Sequence, residues 1–414
     1  MGIKYVNNEL YVEGLAVSKL AKKYGTPIYI YSKNTLESNF HAYKKGFGDI
    51  DSIICYAAKA NPNQNIMTIL AKLGSGADIV SGGELYRSLL AGIKPDKIVY
   101  SGVGKTAEEI EYALKSNILM FNVESFEELE QINLIAKRLH KKARISFRVN
   151  PDVDPHTHKH ITTGKHGSKF GIRYEDALGM YIAASKMKNI EIVGVDSHIG
   201  SQILEVSPFK QAALKLSKLI DNLEKAKIFI KYIDIGGGLG IKYQKSEVPP
   251  SPEDLKKAVM SVYSKYKDKT IIVEPGRSIV ANAGIMVGKI LYRKVSGDKK
   301  FIIVDIGMND LIRPTLYDAY HNIIPVRKTS KKPVIVDIVG PICETGDFIA
   351  KDRKFPMLSR GELIAVECIG AYGSAMASQY NSRLRAQGIV IDGKKVTGIR
   401  KREELKDLIA KEIN

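Results

Sequence analysis

The feature that most constrains the fold is a regular alternation of short apolar runs with helix-like segments. Eight such β-branched runs follow one another between residues 52 and 274, and their apolar residues are consecutive. Consecutive apolar residues are typical of parallel strands that are covered on both faces. The predicted strands are Ser52–Ala57, Ala77–Val80, Lys97–Ser101, Leu119–Val123, Arg144–Val149, Ile192–His198, Tyr232–Ile235 and Thr270–Glu274.

The segments between these strands carry helix-start signals. Ser81 with Glu84, and Ser125 with Glu128, have the spacing of a capping box. Eight strand–helix units predict an α/β fold of the (β/α)8 TIM barrel type, whose usual size is about 250 residues. An open doubly wound sheet is the structural alternative, although it rarely needs eight such units in a row.

After about residue 280 the pattern changes to short strands that are separated by Gly, Pro and Asp turns. This pattern predicts a C-terminal antiparallel β-sandwich or β-barrel domain, and the strand-rich first 30 residues are expected to join it. We therefore predict a barrel over residues 31–280 and a β domain formed by residues 1–30 and 281–414. Its predicted strands include Tyr5–Val12, Pro27–Tyr31, Phe301–Ile306, Val334–Val339, Leu363–Cys368 and Gly388–Ile391.

Composition excludes several classes of protein. The chain has 44% hydrophobic residues and no apolar run near the roughly 20 residues of a membrane span. With no signal pattern at the N-terminus and three widely spaced cysteines, we expect a cytoplasmic protein with free thiols. The net charge of +18 raises the alternative of nucleic-acid binding, but the dense basic stretches at 137–144 and 394–406 lack interleaved aromatic residues. We expect neither a nucleic-acid nor a membrane partner.

Candidate functional residues follow the predicted strands, where TIM barrels place their active sites. Lys59 follows the first strand, and the loss of hydration there would favour a nucleophilic amine. An ordinary surface lysine is the alternative, given 63 basic residues. His198 ends the sixth strand, where it is either a site residue or a satisfied core histidine.

Two glycine-bearing loops follow the seventh and eighth strands. They read Gly236-Gly237-Gly238 and Glu274-Pro275-Gly276-Arg277, at the usual phosphate site of a barrel. Neither matches a Walker A or dinucleotide motif, and a plain glycine turn is the alternative for the first. A lysine, a phosphate site and a carboxylate together are what pyridoxal phosphate (PLP) chemistry requires.

The chain resembles the fold-type III PLP-dependent decarboxylases, relatives of alanine racemase, and among them the diaminopimelate decarboxylase family. The resemblance runs essentially end to end, and the ordered set of motifs is specific. The motifs span residues 56–61, 150–155, 169–172, 198–202, 236–238, 274–277, 313–317, 343–347 and 370–373.

The resemblance implies a role for each matching residue at the cofactor. Lys59 would form the Schiff base, His198 would lie against the cofactor ring, and Glu274 would meet the pyridine nitrogen. The residues implied to complete the cofactor site, several of them around the phosphate, are Asp78, Ser201, Gly237, Gly238, Pro275, Gly276, Arg277 and Tyr372.

The resemblance also implies the reaction, which is decarboxylation of meso-diaminopimelate to L-lysine in lysine biosynthesis. Arg277, Arg313 and Tyr317 would bind the retained carboxylate, with Glu344 on the distal ammonium and Tyr372 in contact with the substrate. Cys343 would donate a proton across the interface of a homodimer with shared active sites.

Several alternatives stay open at this level. A decarboxylase of the same fold could act on ornithine, lysine or arginine, although Arg313 and Tyr317 favour diaminopimelate. A non-catalytic regulator would keep the fold without the reaction, and a racemase has no evident use for two substrate arginines. A transition-metal site could also form from a cluster of histidines, but no acidic or cysteine partners stand at ligand spacing, so we predict no metal. The cluster comprises His156, His158, His160 and His166.

Overall fold

The structure is a computed structural model that describes residues 2–154 and 168–413. The chain divides into two compact units. The barrel unit comprises Asn39–Ile241 and Val248–Ser278, and the β unit comprises Met1–Ser38, Lys242–Glu247 and Ile279–Asn414.

Eight parallel strands form a closed ring in the barrel unit, because the eighth strand pairs with the first through Ile272 and Ile53. The predicted barrel is therefore confirmed, and the predicted strands differ from the observed ones by one or two residues at their ends. Barrel strands 1 to 8 are Ser52–Ala57, Gly76–Ile79, Ile98–Tyr100, Met120–Val123, Ala143–Asn150, Ile190–Asp196, Tyr232–Asp234 and Thr270–Val273. A two-residue strand, Ile172–Arg173, pairs in parallel with the end of barrel strand 5.

Helices follow the barrel strands, as the alternating pattern predicts. They are Gln64–Lys72, Gly82–Leu90, Ala107–Ser116, Phe126–Arg138, Tyr174–Ser185, Ser207–Lys225, Pro252–Tyr263 and the single turn Arg277–Val280, with Lys33–Gly46 before the first strand. None of the described helices has the length and apolar composition that a membrane crossing requires.

The two predicted capping boxes are half correct. Ser81 and Ser125 do cap their helices, each accepting from the backbone N–H three residues on. The carboxylates of Glu84 and Glu128 instead accept from the N–H groups of Val80 and Glu124, one residue before each cap. Each helix start is therefore capped by one serine and one glutamate, but the glutamate accepts from a donor outside the usual box.

The inside of the barrel changes from apolar to polar along its strands. Cys55, Val99, Met120, Val193 and Ile272 pack together in one buried cluster. Further along, three polar side chains form a hydrogen-bonded ladder across neighbouring strands. Asn122 Nδ2 donates to Ser101 Oγ at 3.1 Å, and Ser146 Oγ donates to Asn122 Oδ1 at 2.6 Å. Buried polar groups are stable when they bond to each other, so this ladder forms a polar layer at the carboxyl ends of the strands.

The β unit contains a nine-stranded sheet and a three-stranded sheet. The thirteen-residue strand Gly284–Ser296 is its centre, and it pairs with Ile28–Ser32, Lys299–Val304 and Leu363–Val366. The remaining strands of the large sheet are Ile323–Pro325, Pro333–Val339, Phe348–Pro356, Gln387–Asp392 and Lys395–Arg400; the small sheet holds Ile3–Val6, Glu9–Val12 and Leu15–Ala16. Short helices lie at Val17–Tyr24, Arg313–Tyr317 and Leu405–Leu408.

The predicted β domain is confirmed, but its large sheet is mixed rather than wholly antiparallel. Ile28–Ser32 pairs in parallel with Gln387–Asp392, and Lys299–Val304 pairs in parallel with Pro333–Val339. Parallel pairing needs a long connection between the strands, which the intervening chain supplies in both cases. Strand composition alone does not reveal such pairing between distant segments.

Candidate active site

Four carboxylates occupy the carboxyl ends of barrel strands. Asp78, Asp196 and Asp234 lie in strands 2, 6 and 7, and Glu274 directly follows strand 8. All four are buried, and carboxylate oxygens of Asp196, Asp234 and Glu274 lie within 4.8 Å of one another. The sequence therefore brings three acids together at the end of the barrel where TIM barrels carry out their chemistry.

Burial raises the pKa of three of these acids, Glu274, Asp196 and Asp234. Desolvation raises the pKa of Glu274 well above its usual value, and the charges of Asp234, Asp78 and Asp196 raise it further. The pKa of Asp196 is raised for the same two reasons. Glu274 Oε1 is buried and has no hydrogen-bond partner in the part of the chain that the structure describes. A buried carboxyl that retains a proton without a partner can share that proton with a basic ligand atom.

Lys59 lies in a single 3-10 turn, Ala58–Ala60, directly after barrel strand 1. Its Nζ is 2.6 Å from Asp78 Oδ2, and the Asp78 side chain is 0% exposed against 30% for Lys59. A buried carboxylate needs a cation or donors to offset its lost hydration, so this pair fixes the lysine at the barrel mouth. Lys59 is therefore not an ordinary surface lysine.

The glycines after strand 7 allow three loops to approach closely. A Cβ on Gly237 would lie 2.1 Å from the carbonyl oxygen of Glu274, and one on Gly238 would lie 2.4 Å from that of Gly200. Gly238 also has φ of 109°, which side chains disfavour. The Gly238 carbonyl accepts from Ile203 N–H at 3.0 Å, and this bond ties the loops after strands 6 and 7 together.

Arg277 and Ser201 join the loops after strands 8 and 6. The buried guanidinium donates from Nη2 to Ser201 Oγ at 3.0 Å and from Nε at 3.3 Å. On the other side, the Pro275 carbonyl accepts from Ala57 N–H at 3.1 Å, which links the eighth loop to strand 1. The result is a continuous arc of loops that carries a cation, a hydroxyl and closely packed backbone.

His198 lies in this arc as a neutral imidazole. Its Nδ1 is 3.3 Å from Gly237 N and accepts that N–H, so the ring proton is on Nε2. Burial lowers the pKa of His198 well below its usual value, and the nearby charges of Arg148 and Lys59 lower it further. A neutral, flat ring held in this way suits contact with an aromatic ligand.

These residues fit PLP. The cofactor needs an amine, an acid at its ring nitrogen and a phosphate site. Lys59 supplies the amine, Glu274 supplies a buried acid, and the loops with Ser201, Gly237 and Arg277 supply a cation and close backbone. All the predicted cofactor residues except Tyr372 belong to the barrel unit.

The remaining predicted residues belong to the β unit, where one short helix carries two of them. Arg313 begins the helix Arg313–Tyr317 and is buried, and Tyr317 ends it, half-buried. The guanidinium of Arg313 donates from Nη1 to Tyr243 Oη at 3.0 Å and to His321 Nε2 at 2.9 Å. The helix thus presents an arginine with a fixed orientation.

Cys343 and Glu344 lie on an exposed loop that is anchored at its base. Buried Asp347 accepts from the N–H groups of Ile342 and Met308, each at 2.6 Å. Cys343 N donates to Asn381 Oδ1 at 2.7 Å, and Tyr380 Oη donates to Glu344 Oε2 at 3.1 Å. The loop is therefore ordered although its two functional candidates face solvent in this chain.

The loop of Cys343 and the helix of Arg313 lie side by side. Thr315 Oγ1 donates to the carbonyl of Gly346 at 2.5 Å, which joins the two segments. Tyr372 is half-buried and has φ of 59°, a conformation that is unfavourable for a bulky residue and is found preferentially at functional sites.

The sequence prediction missed several residues at the site. Asp196 and Asp234 were given no role, although each is an acid at the last position of a barrel strand. The buried pair of Arg148 and Glu124, 3.3 Å apart, was also missed, since the two residues are 24 positions apart and fall in no recognised motif. The predicted motif at 150–155 is described up to Asp154, while His156, His158, His160 and His166 lie outside the described residues.

Comparison with known proteins identifies the family. Residues 33–281 match the family model of the pyridoxal binding domain of pyridoxal-dependent decarboxylases. A diaminopimelate decarboxylase of Aquifex aeolicus is 53% identical over 97% of this chain and 95% of its own length. The chain belongs to the diaminopimelate decarboxylase family. The resemblance predicted from the motifs is thereby confirmed.

Solved structures of the same family agree with this assignment. A diaminopimelate decarboxylase of Helicobacter pylori in complex with L-lysine gives a TM-score of 0.91 at 46% identity, covering 95% of this chain and 98% of that one. The diaminopimelate decarboxylase of M. jannaschii, also in complex with L-lysine, gives a TM-score of 0.95 at 39% identity, and the match covers 100% of this chain and 98% of that one. The fold is thus shared over the whole chain.

Proposed function

We propose that this chain decarboxylates meso-diaminopimelate to L-lysine and CO2 with PLP as its cofactor. The observation that carries the proposal is the single barrel end on which Lys59, the buried acid Glu274 and the Arg277–Ser201 pair lie together. Full-length similarity to diaminopimelate decarboxylases supports the choice of substrate.

The cofactor, when bound, supplies an electron-accepting ring that stabilises the negative charge left by loss of CO2. Lys59 Nζ would hold the cofactor, and Asp78, whose Oδ2 lies 2.6 Å from that nitrogen, keeps it in place. Burial raises the pKa of Glu274, and its carboxyl would share a proton with the ring nitrogen. His198, whose pKa burial lowers, would lie against the ring without adding charge.

The phosphate is assigned to the arc of loops after strands 6, 7 and 8. Arg277 and Ser201 would supply a cation and a hydroxyl, and the lack of a Cβ at Gly237, Gly238 and Gly276 lets these loops pack closely against their neighbours. Binding of a dianionic phosphate there would add binding energy without taking part in the reaction. This binding would fix the orientation of the reacting carbon.

The retained carboxylate of the substrate is assigned to Arg277, Arg313 and Tyr317, and its distal ammonium to Glu344. Arg is suited to this task, since its planar fork binds a carboxylate through two parallel hydrogen bonds. Tyr372 would contact both cofactor and substrate. We propose that residues 31–280 bind the cofactor, while residues 1–30 and 281–414 supply substrate and dimer contacts.

A homodimer with shared active sites is part of the proposal. Cys343 is exposed on an ordered loop, and the partner subunit's Cys343 would protonate the carbon that has lost CO2. Mixing Lys59→Ala with Cys343→Ala subunits tests this arrangement. Half of randomly mixed dimers are heterodimers with one intact site of two, so roughly a quarter of wild-type activity should return. If verified heterodimers regain no activity, site sharing is contradicted.

The substrate assignment is tested by CO2 release from meso-diaminopimelate, ornithine and lysine in parallel. Diaminopimelate should give the highest kcat/KM, and Arg313→Ala should lower it by about tenfold to a hundredfold, as expected when a charged hydrogen bond is lost. Arg327→Ala, which changes an exposed arginine of the same unit, is the matched control. An unchanged kcat/KM in Arg313→Ala contradicts the assignment.

The cytoplasm is the compartment that we propose for the reaction. Cys55, Cys343 and Cys368 are all unpaired in the structure, as is usual for proteins of a reducing compartment. Cell fractionation followed by an activity assay tests this location, and activity confined to another fraction contradicts it.

A further inference from the structure

His321 lies eight residues after Arg313 and contacts its guanidinium directly. Arg313 Nη1 is 2.9 Å from His321 Nε2, and the same Nη1 is 3.0 Å from Tyr243 Oη. His321 is 0% exposed and Arg313 is 6% exposed. The hydrogen bond between Arg313 and His321 is therefore buried, where an unmade hydrogen bond is costly, and the one to Tyr243 is part-buried.

The hydrogen bonds define the tautomer of His321. Its Nδ1 lies 2.8 Å from the carbonyl oxygen of Glu367, which can only accept, so Nδ1 carries the proton. The lone pair of Nε2 is then available to accept from Arg313. A backbone carbonyl on one side of the ring thus orients the ring to receive the guanidinium on the other, as second partners orient metal-bound histidines.

The backbone of His321 is anchored as well. Arg353 Nη1 donates to the His321 carbonyl at 2.9 Å, and the next residue, Asn322, accepts from Glu367 N–H at 2.9 Å. The ring of Tyr243 packs edge-on against the imidazole, with 5.4 Å between centroids. The ring of His321 therefore has little rotational freedom, and Nη1 of Arg313, which bonds to it, is also held in place.

We infer that His321 is a positioning residue that fixes the orientation of the Arg313 guanidinium, so that it can bind the retained carboxylate of the substrate. This inference rests on the proposed function, in which Arg313 binds that carboxylate. A long arginine side chain loses rotamer freedom when it binds a ligand, and prior tethering of one nitrogen lowers that cost. The effect should therefore fall on binding of carboxylate-bearing ligands rather than on the chemistry at the carbon that loses CO2.

Two substitutions separate the acceptor from the rest of the ring. His321→Gln keeps an oxygen near the position of Nε2 that can accept from Arg313. His321→Asn keeps a donor for the Glu367 carbonyl near the position of Nδ1 but has no atom that reaches Arg313. Each is tested in the PLP-loaded enzyme with meso-diaminopimelate, together with Arg313→Ala and the double variant Arg313→Ala/His321→Asn.

We expect His321→Asn to raise KM for meso-diaminopimelate and the inhibition constant of L-lysine by about tenfold each, while kcat changes by less than about threefold. His321→Gln should restore both constants to within about threefold of wild type. In the Arg313→Ala background, His321→Asn should change KM by less than about twofold, because a positioning residue acts through its partner. Thermal melting and the PLP absorption spectrum verify folding and loading.

The outcomes distinguish the inference from the proposed function. If Arg313→Ala leaves KM unchanged, the assignment of Arg313 to the retained carboxylate and the inference are both wrong. If Arg313→Ala raises KM but His321→Asn does not, the inference alone is wrong. An equal effect of His321→Asn with and without Arg313 shows a merely structural role and overturns it. If His321→Asn does not fold, a KM in His321→Gln as high as in Arg313→Ala overturns it as well.

Discussion

Asp310 is a buried carboxyl in the β unit whose ionisation should cost the folded protein stability. It is 2% exposed, its Oδ2 accepts from Gly307 N–H at 3.2 Å, and its Oδ1 has no partner among residues 2–154 and 168–413. Burial raises the pKa of Asp310 from 3.8 to about 7, against the lowering effect of Arg383. Asp310→Asn keeps an oxygen for Gly307 and removes the charge.

The expected effect depends on pH in a definite direction. Between pH 3.8 and about 7 the folded state binds more protons than the unfolded state, so the unfolding free energy falls as pH rises. A pKa raised by about three units corresponds to about 4 kcal/mol, present in full only above the folded pKa. Between about pH 5 and about pH 8, the unfolding free energy of Asp310→Asn should rise by about 3 kcal/mol relative to that of the wild type.

Urea unfolding of both proteins at the two pH values measures this gain, with each midpoint converted by its own m value. Asp298→Asn, which changes an exposed carboxylate of the same unit, is the control and should shift by less than about 0.5 kcal/mol. A difference between Asp310→Asn and wild type that is the same at both pH values refutes the reasoning. It would show that Arg383 compensates the ionised carboxylate fully.

Three further predictions concern the candidate site. Lys59→Ala should abolish the yellow absorption of a PLP Schiff base after incubation with PLP; a wild-type spectrum contradicts the role of Lys59. Glu274→Gln should keep the cofactor but lower kcat by about a hundredfold or more, since an amide cannot hold the ring proton as a carboxyl does; spectra and turnover together check this. Asp347→Asn should loosen the loop of Cys343 and Glu344 because one of two acceptors is lost, at a cost of about 1–3 kcal/mol; faster proteolytic cleavage within residues 342–346 is the measurement.

The barrel could be predicted from sequence because each of its strands is a local signal. Runs such as Ile271–Val273 are apolar at every position, and a short run of this kind is typical of a strand that is covered on both faces. The mixed β sheet could not be predicted in the same way. Whether Ile28–Ser32 pairs in parallel or antiparallel depends on a partner that lies at residues 387–392, and no local pattern records that choice.

The candidate site could be predicted where its residues follow strands or fall in motifs. Lys59 and Glu274 were found because both stand at strand ends, which meet at one end of a barrel. The raised pKa of Glu274 could not be predicted, since it depends on burial and on the charges of acids such as Asp196 and Asp234, which lie on other strands. His321 was missed for the same reason, because its role depends on a carbonyl of Glu367.

The parallel pairing of Ile28 with Gln387 has a consequence for how the chain is made. During synthesis the strand Ile28–Ser32 emerges early, and its partners Gly284–Ser296 and Gln387–Asp392 emerge only after the whole barrel. Until then it is an unpaired apolar edge, which is a site of aggregation. We expect ribosome-bound chains in which residue 280 has just left the exit tunnel to show protected amides in the barrel strands but none at Ile28–Ser32. Hydrogen exchange on stalled chains measures this order, and early protection of Ile28–Ser32 would contradict it.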